Sequence, residues 1–110
     1  STEFLGLRTA KYTASDLAAA KAWYAEALGV QPYFDEPFYV GFNVNGFELG
    51  ITPDSSAAAV RPEAGIAYWG VADAARTVER LVGLGAVIVE PVEDVGGGIR
   101  TATVRDPFGN

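Results

Sequence analysis

The chain has 110 residues, 49% of them hydrophobic and 20% charged, which suits one folded domain and excludes a disordered segment. It holds neither cysteine nor histidine, so disulfides, thiolate chemistry and the commonest metal ligand are excluded. A net charge of −6 argues against nucleic acid, which needs a basic surface, and permits a cationic ligand, although acidity also serves plain solubility.

The first segment alternates. Leu5, Leu7, Thr9, Lys11 and Thr13 fall on one face, with Gly6, Arg8, Ala10, Tyr12 and Ala14 on the other. A period of two predicts a strand. Ser15-Asp16 follows as a helix start, because a short side-chain oxygen accepts a free backbone N–H. Leu17, Ala20, Tyr24, Ala27 and Leu28 then recur at helical spacing up to Gly29, which fits a left-handed cap. Strands are expected over Gln31–Phe34, Phe38–Val44 and Phe47–Thr52. Asn45-Gly46 marks a hairpin between the last two. Residues 54–65, rich in Ser, Ala and Pro, read as a linker.

The same grammar then returns. Ile66–Val71 is expected as a strand, and Asp73 starts a helix with Ala74, Val78, Leu81 and Val82 as its apolar stripe. Gly83 and Gly85 lie at its end. The interval from Asp16 to Asp73 nearly equals that from Gly29 to Gly85, the mark of an internal duplication. Ala86–Glu90 and Ile99–Arg105 are expected strands, with Val92–Gly98 a flexible loop between them. The order is βαβββ, linker, βαββ, so one strand is missing by symmetry. The closing turn Asp106-Pro107-Phe108-Gly109-Asn110 suggests that the natural protein continues into an eighth strand; a shorter protein is the alternative.

Three strings resemble the vicinal-oxygen-chelate superfamily, which holds the glyoxalases, bleomycin resistance proteins and extradiol dioxygenases. Lys11–Leu17 resembles its first strand running into its first helix. Ala22-Trp23-Tyr24-Ala25-Glu26-Ala27-Leu28-Gly29-Val30 resembles its helix end, and Asp106–Asn110 resembles the turn before its last strand. The resemblance implies an α+β domain of two tandem βαβββ modules forming a half-barrel pair. Module one would span 4–53, the linker 54–65 and module two 66–110. An unrelated ferredoxin-like α+β domain is the competing reading. The family's ligand sits in the concave face of the half barrels. Carried over, the cavity set is Thr9, Lys11 and Thr13, with Ile66, Tyr68 and Gly70 in module two and Glu48 and Thr52 pointing inward. Ala10, Tyr12, Ala67, Trp69 and Val71 would pack under the helices.

Metal-dependent members place one ligand near the start of each first strand and others on the last strand of each unit. Those positions carry Thr9, Ile66 and Glu48, and the fourth falls after Asn110. A catalytic zinc or iron needs about three protein ligands, so no metal and no cofactor is expected. Glu48 is the one catalytic candidate; a solvated strand edge is its plain alternative. Lys11 is expected to pair with Glu48, hold an anionic ligand, or reach the pocket rim.

Other chemistry falls away. Ser15, Ser55 and Ser56 have no histidine base, which excludes a serine triad. Gly96-Gly97-Gly98 precedes no helix, which removes the phosphate-loop mechanism. Asp35-Glu36 and Glu93-Asp94 are expected in solvated turns between strands. The aromatic residues, from Trp23 to Trp69, are expected to be mostly core, with some forming a stacking wall. The expectation is a metal-free small-molecule-binding protein, possessing a cationic or aromatic ligand and drug-sequestering like the bleomycin resistance proteins, which bind their drug at a dimer interface. A homodimer follows from that resemblance. The alternatives are a lyase, isomerase or dioxygenase with an atypical site using Glu48, and a structural or regulatory domain with no ligand. The start Ser1–Leu5 lacks a basic end and an apolar run, and no stretch reaches the ~20 apolar residues of a membrane span. The expected location is therefore cytoplasmic.

Overall fold

A computed structural model describes residues 3, 5, 7–53 and 66–110. The expected linker, with Ser55 and Ser56, lies outside the described residues. The chain falls into two compact units, residues 1–56 and 57–110. It is mixed α+β, with two helices and two sheets among the described residues.

Unit one is a βαβββ module. It runs β1 (Thr9–Ala14), α1 (Leu17–Leu28), β2 (Phe34–Glu36), β3 (Tyr39–Val44) and β4 (Phe47–Pro53). Its sheet has the order β1-β4-β3-β2, with β1 parallel to β4 and the other pairs antiparallel. Asn45 and Gly46 take φ of 52° and 89°, the geometry of a two-residue hairpin, and Asn43 Oδ1 accepts from the Gly46 N–H at 2.9 Å. The turn fixes the register: Val44 opposes Phe47, Asn43 Glu48, Phe42 Leu49, Gly41 Gly50 and Val40 Ile51. Period two then sends Val40, Phe42, Leu49 and Ile51 to one face, where all four are fully buried.

Helix α1 covers that face. Asp16 Oδ1 accepts from the Ala19 N–H at 3.0 Å, and Gly29, at φ 74°, donates its N–H to the Ala25 carbonyl. Ala20 and Tyr24, one turn apart, are the helix residues that become buried, and the Tyr24 ring meets that of Tyr12 at 5.9 Å. Lys21 adds an ion pair to Asp35 at 3.0 Å. Each large apolar side chain buried here contributes about 1.5–3 kcal/mol.

Unit two holds α2 (Ala74–Gly83), β5 (Val87–Gly96) and β6 (Ile99–Arg105). Asp73 caps α2 by accepting from the Arg76 N–H at 3.1 Å, and α2 lies against both strands. Asp106 is buried and accepts from the backbone N–H groups of Phe108 and Asn110, which closes the final turn.

Six expectations are corrected. Residues 66–71 form no strand, because the second sheet has only β5 and β6 among the described residues and offers this stretch no ladder. Ala67, Trp69 and Val71 are accordingly exposed rather than packed under a helix. The first strand starts at Thr9, not Leu5, because its partner β4 begins only at Phe47. The expected loop 92–98 is mostly strand: Gly97 and Gly98, at φ 65° and 77°, make a two-residue turn that lets pairing continue to Gly96. Glu93-Asp94 and Asp35-Glu36 therefore lie in strands, the latter because Pro37-Phe38 turns tightly enough to pair Glu36 with Tyr39. Finally, most aromatic residues are not core. Among the described aromatic residues only Tyr24 and Phe42 are buried, while Tyr33, Phe34, Phe38, Phe47, Tyr68 and Trp69 are exposed.

Phe42, with no exposed surface, and Phe47, 64% exposed, test this division. Phe42→Ala is expected to cost about 3–5 kcal/mol and Phe47→Ala within about 0.5 kcal/mol, read from urea unfolding midpoints.

Candidate functional site

The face of the unit-one sheet opposite α1 carries polar groups and glycines. The register puts Thr9, Lys11 and Thr13 of β1 beside Glu48, Gly50 and Thr52 of β4, and Asn43 and Gly41 of β3 beside Glu48 and Gly50. Glu48 sits on β4, an interior strand, and is half-buried, so the solvated-edge alternative is set aside.

Its carboxylate is held by hydroxyl groups. Thr9 Oγ1 donates to Oε1 at 2.8 Å, and the Tyr33 hydroxyl donates to Oε2 through a short bond. The Tyr39 ring lies over Gly50 beside this pair. These bonds favour the charged form. The Tyr33 bond, then the Thr9 bond, holds the Glu48 carboxyl below its ordinary 4.5 against the opposing pull of burial; Tyr39 and the positive charge of Arg8 act in the same direction. The Tyr33 hydroxyl is raised above 10.0, first because its proton bonds Glu48 and then because of desolvation and the nearby negative charge. Tyr39 is raised as well, chiefly by burial.

The tyrosines can lie this close because the sheet beneath them lacks side chains. A Cβ on Gly50 would stand 2.0 Å from the Tyr39 hydroxyl oxygen. One on Gly41 would stand 2.8 Å from Glu48 Oε2 and 3.1 Å from Tyr33 Cε1. A depression of about 260 Å³ opens beside this group, lined by Arg8, Tyr33, Asn43, Gly46, Phe47 and Glu48.

Of the expected site residues, the structure joins Thr9 directly to Glu48 and sets Lys11, Thr13 and Thr52 on the same strands further along. Lys11 is exposed, and the carboxylate is bonded by hydroxyls instead. Tyr68 belongs to unit two, where it is 67% exposed and stands on no strand. Sequence reasoning missed Arg8, Tyr33, Tyr39, Gly41 and Gly50 as site elements. A signal for the glycines existed: the Asn45-Gly46 turn places them opposite each other, and paired strand glycines mark a close approach from above.

A family model for the Glyoxalase/Bleomycin resistance protein/Dioxygenase superfamily matches residues 6–110. The chain belongs to this superfamily. Among similar solved structures is the bleomycin-binding protein of bleomycin-producing Streptomyces verticillus, in complex with copper(II)-bleomycin. It is 22% identical, with a TM-score of 0.70 and coverage of 100% of this chain and 93% of that one. Lactoylglutathione lyase from Agrobacterium tumefaciens is 18% identical, with a TM-score of 0.67 and coverage of 99% and 91%. A glyoxalase / bleomycin resistance protein from Catenulispora acidiphila is 25% identical, with a TM-score of 0.66 and coverage of 94% and 92%. No curated protein sequence matches significantly.

Metal-dependent members of the superfamily invite a test of the ligand positions. Thr9 spends its hydroxyl proton on Glu48, the Ile66 side chain has no lone pair, and a hydroxyl donor already bonds each Glu48 oxygen. Among the described residues no group of three or more His, Cys, Asp or Glu could hold a metal ion. These residues do not fit a catalytic metal. No helix among the described residues is long and apolar enough to cross a membrane.

Tyr33→Phe is expected to move the Glu48 carboxyl upward toward 4.5, followed by the carboxyl carbon shift in an NMR titration. The sign for stability follows: a lowered folded value contributes stability that is present above 4.5 and lost as pH falls through the folded value. Acid unfolding of Tyr33→Phe should therefore start at higher pH. Gly50→Ala is expected to displace the Tyr39 ring and cost about 1–3 kcal/mol of unfolding free energy.

Proposed function

We propose that this chain is a small-molecule-binding protein that works without a catalytic metal, sequestering its ligand rather than transforming it. One observation carries the reading: Glu48, at the position where metal-dependent relatives carry a ligand, is held as a carboxylate by Thr9 and Tyr33. A prearranged, half-buried negative charge in a surface depression suits recognition of a ligand's positive group. The neighbouring aromatic surfaces of Tyr33 and Phe47 suit a flat apolar body. A superfamily structure of the same fold is named for binding bleomycin, which supports sequestration as a use of this fold.

The second reading is a lyase or isomerase with Glu48 as general base, the activity class of the lactoylglutathione lyase. A general base works best with a pKa near the working pH. The hydroxyl donors push Glu48 the other way, so they favour binding over proton abstraction.

The reading includes a homodimer. Phe34 and Phe38 in unit one, and Val87, Val89, Val95 and Ile99 in unit two, are exposed apolar surface that a second copy would cover. Sedimentation at tens of micromolar should give twice the chain mass; the single-chain mass would remove the dimer from the proposal.

Elemental mass spectrometry of untagged, dialysed protein tests the main claim. Far less than one transition metal per chain is expected, and about one per chain would overturn it. Glu48→Gln should weaken a cationic ligand by about 1.5–3 kcal/mol, the worth of a charged hydrogen bond, measured by calorimetry.

A further inference from the structure

We infer, resting on the binding reading above, that the depression beside Glu48 takes a compact zwitterionic molecule with an aromatic body, its ammonium on Glu48 and its carboxylate on Arg8. Both charges line the same depression. The backbone fixes them there: the Glu48 N–H donates to the Arg8 carbonyl at 3.0 Å, so Arg8 enters β1 directly beside the start of β4.

The two charges do not close on each other. The Arg8 guanidinium has no ion-pair or side-chain hydrogen-bond partner among the described residues, and Glu48 takes its donors from hydroxyl groups instead. A carboxylate offers about four acceptor sites, and Thr9 and Tyr33 use two, which leaves room for an ammonium N–H. Arg8 keeps its full planar fork for a carboxylate.

This pairing sets the ligand class. A purely cationic ligand on Glu48 would face Arg8, and a purely anionic one on Arg8 would face Glu48. A molecule carrying both charges satisfies both and meets neither repulsion. Tyr33 and Phe47, 63% and 64% exposed, supply rings in the lining for an aromatic body. A volume of about 260 Å³ lies below the ~300–1,000 Å³ of drug-sized sites, which points to a ligand on the scale of a free amino acid.

The test uses three probes of one shape: L-phenylalanine, 2-phenylethylamine without the carboxylate, and 3-phenylpropanoate without the ammonium. Each is titrated into the full isotope-labelled chain while backbone amide shifts around Glu48 are followed. L-Phenylalanine is expected to bind at least about tenfold tighter than either single-charge probe. Arg8→Gln should reduce L-phenylalanine to the level of 2-phenylethylamine while leaving that amine unweakened, and Arg8→Lys should keep most of the preference. Glu48→Gln should reduce L-phenylalanine to the level of 3-phenylpropanoate. Equal affinities for the three probes, or an unchanged preference in Arg8→Gln, would overturn the inference. If none of the three moves these amides but a compound from a mixed fragment set does, the zwitterion assignment falls and the binding reading stands. If no compound binds at all, both fall.

Discussion

The register of one hairpin governs unit one. Asn45 and Gly46 can both adopt positive φ, so β3 and β4 meet through a two-residue turn, and every residue pair below it is then determined. Because side chains alternate, a single choice sorts both strands at once: Val40, Phe42, Leu49 and Ile51 go under α1, while Gly41, Asn43, Glu48 and Gly50 go to the opposite face. A slip of one residue would put Glu48 into the apolar core and Phe42 into solvent. The core and the candidate site are thus two readings of one alignment.

On the site face, glycine supplies space and tyrosine fills it. Bare backbone at Gly41 and Gly50 lets Tyr33 and Tyr39 lie against the sheet, where the Tyr33 hydroxyl reaches Glu48. Neutral donors there keep a carboxylate ionised. They leave the group a fixed acceptor, with its proton affinity turned away from the range useful for acid–base work.

The sequence is most legible where a residue acts through its own backbone. Asp16, Gly29, Asp73 and Asn45-Gly46 announce caps and a turn by local chemistry, and each does that job in the structure. Glu48 and Thr9 were legible through the resemblance to a known superfamily. Tyr33 and Arg8 were not, because they stand just before β2 and β1 and come to Glu48 through pairing that no local pattern encodes. The failure at 66–71 has the same origin. Alternation describes a segment fit to be a strand, but a strand also needs a neighbour, and the ladder available in unit two is β5 with β6.

The parallel pairing of β1 with β4 carries a kinetic consequence. Within unit one, β2–β3 and β3–β4 join neighbours through short turns, whereas Thr9 and Glu48 are 39 positions apart, with α1, β2 and β3 between their strands in the chain. Loop closure over that span is the entropically costly event of the module. The Thr9–Glu48 bond bridges that closure, so the completed carboxylate environment exists only in chains that have finished it. A ligand seated there would act as a latch on the β1–β4 pairing, slowing its opening more than it speeds its closure.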